Sequence, residues 1–359
     1  MWAFVNRRFI DCVRKRTLGW FLCLAAVGAA VAPRAIAQTL EERPVPIITG
    51  SAGYFTNVDA GQTELIPEIN PVLLVPLGDR WLVESRAKIQ GSYVHAPNGG
   101  PLEGEFEEKL DYLQVDYIAN PHLTVTAGRF LTPFGIYNER IYPIWIRDLQ
   151  LVPLIFPIGT GSSDGIMFRG GFPLSPTVNI NYATYFSTLS TVDQFESSRL
   201  AGGRAGLFFT RPRIEVGGSW QKQLQDDRAN LFGFHFAWQP PPIPLNLRAE
   251  YARSNFGSGY WVEGAYRLSQ IALWNKMMRR TEFVARMQQT FPGEDKPAGN
   301  SDYRFPSSSV QQPDFGLNYY ILDGLKVEGG YSRWLGKHNW NTWTVGIAYR
   351  FAVPLGRPE

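Results

Sequence analysis

The chain has 359 residues, with 35 Lys and Arg against 32 Asp and Glu, 44% hydrophobic residues, 35 Gly and 26 Pro. That much apolar surface excludes a disordered chain. Only residues 18–32 form a long apolar run, which excludes a bundle of spanning helices, each needing about 20 such residues.

Residues 1–37 read as a cleaved signal peptide. Arg7, Arg8, Arg14, Lys15 and Arg16 form a basic head, 18–32 the apolar stretch, and Ala35-Ile36-Ala37 the small-residue site before Gln38. The alternative is an uncleaved anchor helix. The segment carries six bases and one acid, so its removal takes the formal charge from +3 to −2. Nucleic-acid binding then has no electrostatic support. Cys12 and Cys23 both lie in this leader, leaving no disulfide framework and no thiolate site.

The rest of the chain is dominated by alternation with a period of two, the mark of strands with two unlike faces. Trp81, Val83, Ser85, Ala87, Ile89, Gly91 and Tyr93 oppose Glu84, Arg86, Lys88, Gln90 and Ser92. Leu245, Leu247, Ala249 and Tyr251 oppose Asn246, Arg248 and Glu250, and Leu325, Val327, Gly329 and Tyr331 oppose Lys326, Glu328 and Ser332. Such segments predict sixteen strands, at 47–56, 64–76, 81–95, 109–119, 123–130, 165–172, 177–186, 199–210, 214–222, 229–239, 245–255, 260–269, 280–290, 313–321, 325–334 and 341–351. Fourteen or eighteen stay open, because Pro67, Pro71 and Pro76 interrupt the second segment.

Connections decide between a sandwich and a barrel. Tight turns at Gly78-Asp79, Asn120-Pro121, Ser175-Pro176, Arg211-Pro212, Pro240-Pro241-Pro242 and Asp323-Gly324 take turns with longer segments at 96–108, 131–164, 187–198 and 291–311. This is the pattern of a transmembrane antiparallel up-and-down β-barrel. The expectation is one barrel over 38–351, followed by a short tail at 352–359, in the bacterial outer membrane.

The alternation assigns the apolar set to lipid and the polar set to the lumen. Arg86, Lys88, Arg169, Arg204, Arg248, Arg267, Arg286, Lys326 and Arg350 then face inward beside Glu68, Glu84, Asp116, Glu215, Glu250, Glu263, Glu282 and Glu328. So many inward charges point to a hydrated lumen, since a dry interior would need each one paired. On that reading Glu328→Gln is tolerated.

The junction Ala127-Gly128-Arg129-Phe130-Leu131-Thr132-Pro133-Phe134-Gly135 resembles the strand-to-loop junction of phosphate-selective porins of the O and P type. The resemblance implies a trimeric channel of sixteen strands whose third external loop folds inward as a constriction. Here the third external loop is the longest, and it carries Glu139, Arg140, Arg147 and Asp148 among Tyr137, Tyr142, Trp145 and Phe156. Arg129, Arg140 and Arg147 are candidates for a constriction with a weak anion preference. The alternative for all three is a structural pair, with Glu139 and Asp148 as the local partners of Arg140 and Arg147. The loop departs from the phosphate-selective pattern in having no lysine.

The final segment alternates Trp343, Val345, Ile347, Tyr349 and Phe351 with Thr344, Gly346, Ala348 and Arg350. It resembles the signal that barrel-assembly machinery reads in outer-membrane proteins. The function expected is a water-filled channel for passive diffusion of small hydrophilic solutes and ions, without cofactor or metal. An outer-membrane hydrolase would need a histidine poised beside a hydroxyl or acid. His95, His122, His235 and His338 stand in no such motif. A carrier for hydrophobic compounds through the aromatic stretch 141–158, or a non-conducting structural barrel, stays as the alternative.

Overall fold

The computed structural model describes residues 45–355 apart from 60, 96–100, 192–194, 196, 226–227 and 294–304. The expected signal peptide lies outside the described residues.

Among the described residues sixteen strands form one closed antiparallel sheet. They are β1 (Ile47–Asp59), β2 (Gln62–Leu77), β3 (Trp81–His95), β4 (Glu103–Asn120), β5 (Leu123–Leu131), β6 (Ser162–Ser175), β7 (Val178–Thr188) and β8 (Leu200–Phe209). The second half is β9 (Ile214–Gln223), β10 (Asn230–Trp238), β11 (Leu245–Ser254), β12 (Gly257–Arg267), β13 (Thr281–Pro292), β14 (Val310–Leu322), β15 (Leu325–Trp334) and β16 (Trp340–Pro354). Each strand pairs with its chain neighbours, and β16 returns to β1 along the whole register from Ile47↔Pro354 to Asp59↔Thr342. Closure removes both sheet edges, so no ladder of backbone groups is left unpaired.

Several boundaries differ from the sequence expectation. β4 begins at Glu103, six residues earlier, because its ladder with β3 runs on to Val94↔Glu103. β16 does not stop at Phe351: Ala352, Val353 and Pro354 pair with Thr49, Ile48 and Ile47. The prolines of β2 do not break the strand. Its ladder to β1 is continuous from Gln62 to Leu74, while the ladder to β3 skips Ile66-Pro67 and Asn70-Pro71, which confines the missing N–H groups of Pro67 and Pro71 to one side. Pro76 stands at the strand end opposite Leu82.

One end of the barrel carries the turns 78–80, 121–122, 176–177, 210–213, 239–244 and 323–324, together with a longer excursion at 268–280. The other end carries connections from two residues, at 255–256, to thirty, at 132–161. Short and long connections are thus less strictly separated than the sequence suggests.

The outward register is apolar. Trp343, Val345, Ile347 and Tyr349 are all exposed, as are Phe232 and Phe234 of β10 and Phe315 and Leu317 of β14. Aromatic pairs stand at both ends of this face, with Trp81 against Tyr117 at the short-turn end and Tyr331 against Trp343 at the other. Among the described residues no helix is long and apolar enough to cross a membrane.

The inward register is not uniformly polar. Phe130, Met167, Ala183, Tyr185 and Leu200 form a buried cluster inside β5–β8. Phe55 points inward over β16, where a β-carbon at Gly346 would lie 2.2 Å from its ring. Glycine is needed there for the ring to lie flat on the wall.

Candidate pore and its inward loop

The thirty residues between β5 and β6 form a loop, here L3, that lies inside the barrel. Its neck is closed by Thr132 N donating to Gly161 O at 2.9 Å, and by the Asn138 amide donating to the carbonyls of Thr132 and Gly161 at 3.0 and 2.9 Å. Beyond the neck, Gly135 N donates to Ser219 Oγ at 3.0 Å, and the amides of Ile136 and Tyr137 converge on Glu250 Oε1. Trp261 Nε1 donates to the second oxygen of Glu250 at 3.0 Å. Arg204 holds the same corner, donating to Gly135 O at 2.7 Å and pairing with Glu139 at 2.6 Å.

L3 then crosses to the opposite wall. Arg147 pairs with Glu68 at 3.6 Å, while Lys326 donates to the Arg147 carbonyl at 2.8 Å. Ile144 and Trp145 pack against Phe55 and Ala348. Asp148 bonds Arg248, and its carbonyl accepts from Asn318 at 3.0 Å. The return path is held by Arg286 on Leu151 O and by Leu154 N on Gln288, both at 2.8 Å. Phe134, Ile136, Tyr137, Ile141, Ile155, Phe156 and Ile158 fill the space against Leu231, Ala252, Trp261 and Phe305. Apolar burial of this extent stabilises the loop in place, at about 25 cal/mol per Å² removed from water.

The charges beneath L3 are dry and paired. Arg248 lies 2.6 Å from Glu263, Arg286 lies 2.8 Å from Asp314 and 3.7 Å from Glu263, and Lys326 lies 2.9 Å from Glu328. This part of the wall is therefore not the hydrated surface expected from sequence. Burial pushes the Asp148 carboxyl up, against the opposing pull of the Arg248 guanidinium.

Arg86, Lys88, Arg169, Arg204, Arg248, Arg267 and Arg286 all stand on the inward register. Arg86 pairs with Asp111, and Lys88 with Glu107, each at 2.8 Å. Glu139, Arg140, Arg147 and Asp148 all lie on L3, but they reach wall residues rather than one another. Arg140 takes Glu215 at 2.8 Å, so the local pairing considered from sequence does not occur.

Arg129 lies elsewhere. It shares the register of Val125 and Ala127, which pair with the outward Tyr117 and Val115. Its guanidinium is buried against Asp164 at 2.9 Å and donates through Nε to Leu110 O at 2.8 Å. It is a structural pair at the loop-end rim, not a lumenal contact.

The pairs with the most exposed guanidinium groups share an asymmetry. In three inward pairs the guanidinium is more exposed than its carboxylate: Arg140 38% against Glu215 12%, Arg169 37% against Asp116 4%, and Arg267 31% against Glu282 12%. Lys88 and Glu107 are reversed, at 3% and 34%. At the short-turn end the interior opens as a cavity of about 540 Å³, lined by Arg213, Gln239, Asn246, Arg267, Gln270 and Glu282. Among the described residues no group of histidines and carboxylates is placed to hold a metal ion. His235 is buried beside Glu215, 3.4 Å away, and among the described residues no hydroxyl is bonded to its ring.

No family model matches the chain, and no curated protein matches it in sequence. Solved structures do match in fold. An anion-selective porin from Comamonas acidovorans has a TM-score of 0.54 at 12% identity, covering 86% of this chain and 99% of that one. OmpF from Salmonella typhi gives 0.55 at 11%, covering 85% and 97%, and OprB from Pseudomonas putida gives 0.57 at 8%, covering 86% and 93%. The chain has the fold of outer-membrane porins, a closed sixteen-stranded barrel with an apolar outer face.

Proposed function

We propose that this chain is an outer-membrane porin, a channel for passive diffusion of small hydrophilic solutes and ions, narrowed by L3 and weakly selective for anions. A closed sheet with an apolar exterior suits a bilayer, which offers the backbone no hydrogen-bond partners. The short-turn end is then periplasmic. The observation that carries the anion preference is the exposure of Arg140, Arg169 and Arg267 over carboxylates that are more deeply buried. A solute passing them meets the positive end of each pair, and a narrow passage strengthens that field relative to bulk water. Phe134, Ile136, Tyr137, Ile141, Ile155, Phe156 and Ile158 of L3 pack against the wall, while Ile146 is exposed. Assembly as a homotrimer, inserted by machinery that reads Trp343 to Phe351, completes the proposal, and cross-linking in native membranes tests it.

Purified barrel in a planar bilayer under a salt gradient gives the test. Stepwise conductance with a reversal potential on the anion side is expected. Arg140→Ala with Arg169→Ala moves that potential toward cations, and deletion of 141–156 in a folded barrel raises unit conductance. A folded barrel that never conducts overturns the channel. A reversal potential indifferent to the two arginines overturns the anion preference alone.

A further inference from the structure

The excursion at 268–280 has a chemistry unlike that of the other turns at its end of the barrel. It spans thirteen residues, Leu-Ser-Gln-Ile-Ala-Leu-Trp-Asn-Lys-Met-Met-Arg-Arg, with no acid and with Lys276, Arg279 and Arg280 as bases. Its apolar side chains are turned out: Leu273 is 64% exposed and Trp274 68%, with Ile271 and Met277 also exposed.

The shape is built rather than slack. The Gln270 amide donates to Pro242 O at 3.0 Å, Thr281 Oγ1 donates to Met277 O at 2.9 Å, and a single helical turn runs over Asn275–Met278. Arg280 is tied to Ile321 O at 2.9 Å. Trp274 begins that turn in the left-handed region, at φ 49° and ψ 46°, where a bulky residue is a genuine outlier. The backbone is held in an unfavourable conformation while the largest side chain of the segment stays outside.

The segment joins β12 to β13 just beyond the outward pair Tyr266 and Phe283. Its early residues Ser269 and Gln270 line the cavity at this end, and the Tyr266 hydroxyl donates to Gln270 Oε1 at 3.2 Å, so the segment starts at the rim and the exposed apolar residues follow it. Leu322, at the end of β14, is also exposed. Indole and aliphatic groups interleaved with lysine and arginine, without carboxylates, fit the boundary between acyl chains and anionic headgroups. Neither water nor a neutral surface matches both halves of that chemistry.

We propose that residues 268–280 form a foot that rests in the periplasmic-side headgroup layer. Leu273 and Trp274 sit at the acyl boundary, and Lys276 and Arg279 meet the phosphates of anionic phospholipid. This rests on the membrane reading of the barrel. A soluble periplasmic protein is the competing occupant.

With Cys12 and Cys23 confined to residues 1–37, a mature barrel carrying Leu273→Cys takes one environment-sensitive fluorophore. The labelled barrel is reconstituted in phosphatidylethanolamine vesicles with or without phosphatidylglycerol, some carrying headgroup-proximal nitroxide lipid. Ile243→Cys, in a turn of the same end without this basic cluster, serves as the comparison, and Ile347→Cys reports the outer face. The expected result is blue-shifted emission and nitroxide quenching at position 273, stronger with phosphatidylglycerol and absent at 243. Lys276→Gln with Arg279→Gln reduces the phosphatidylglycerol-dependent part several-fold while heat-modifiability is unchanged. Quenching at 273 by aqueous iodide alone, with 347 still quenched by lipid, overturns the foot and leaves the membrane reading intact. Loss of lipid quenching at 347 as well overturns the membrane reading. Shielding at 273 only after periplasmic extract is added assigns the surface to a protein and overturns the proposal.

Discussion

Gly135 and Glu250 share one volume: a β-carbon at Gly135 would fall 1.8 Å from Glu250 Oε1. Gly135 also sits at φ +63°, in the left-handed region that glycine enters without steric cost. The first bend of L3 and the carboxylate that receives it are therefore fitted to each other. The missing side chain lets the Ile136 and Tyr137 amides reach an acceptor on β11.

Gly135→Ala should release this corner. The left-handed conformation alone costs about 1–2 kcal/mol for a residue with a side chain, and the overlap with Glu250 adds to it. We expect a lower temperature for the heat-induced gel shift, together with larger and noisier single-channel currents. Wild-type currents from the folded variant would show that the bend does not position L3.

Glu250→Ala removes the acceptor rather than crowding it. Two loop amides and the Trp261 indole then lose their partner in a buried site, at about 1–3 kcal/mol for each group left unsatisfied. Denaturant unfolding in detergent should show a loss of that order, and hydrogen exchange should rise at Ile136 and Tyr137 before it rises in the strands. Uniform exchange across the barrel would mean that this anchor is not local.

Glu328 reverses an expectation made from sequence. An inward acid in a hydrated lumen would tolerate Glu328→Gln, but here the carboxylate is buried 2.9 Å from the fully buried Lys326 ammonium. Breaking a buried pair costs about 3–5 kcal/mol, so this change should be at least as damaging as Ile347→Arg on the outer face, at roughly 2–4 kcal/mol. Parallel unfolding of both variants checks the order.

The cluster of Glu263, Arg286 and Asp314 gives a fourth test. Arg286→Met takes from the buried Asp314 carboxylate the only cation paired with it among the described residues, while Glu263 keeps Arg248, and should lose about 3–5 kcal/mol. Adding Asp314→Leu to Arg286→Met should recover part of that loss, a coupling visible in a double-mutant cycle. Strict additivity would show that the cluster is energetically inert.

The strands were legible because their signal is local. β3 (81–95) and β15 (325–334) match the alternating segments residue for residue, since each outward residue differs in chemistry from the next. The anchors of L3 were not legible, because they are pairings at long range. Asp148 and Arg248 are 100 residues apart, and Lys326 meets the Arg147 carbonyl across 179. Alternation reports which face a residue occupies, never what stands opposite it in the lumen. Arg129, a constriction candidate from the junction motif, shares the alternation of Val125 and Ala127, off the inward face. The outward chemistry of 268–280 stood in the sequence, but a rule that expects tight turns at that end gives it no role.

The meeting of β1 with β16 ties the two ends of the strand order together. β1 has β2 on one side, and its other partner is β16, the last of the sixteen strands in chain order. No shorter fragment that starts at β1 can close the cylinder, and each would carry two raw edges into a solvent that hydrogen-bonds neither. On the membrane reading proposed for this barrel, insertion then waits for β16, and the intermediate stays sheltered until it arrives. Loss of β16, residues 340–354, should leave no smaller pore, only an edge-bearing chain that is cleared before it reaches the membrane.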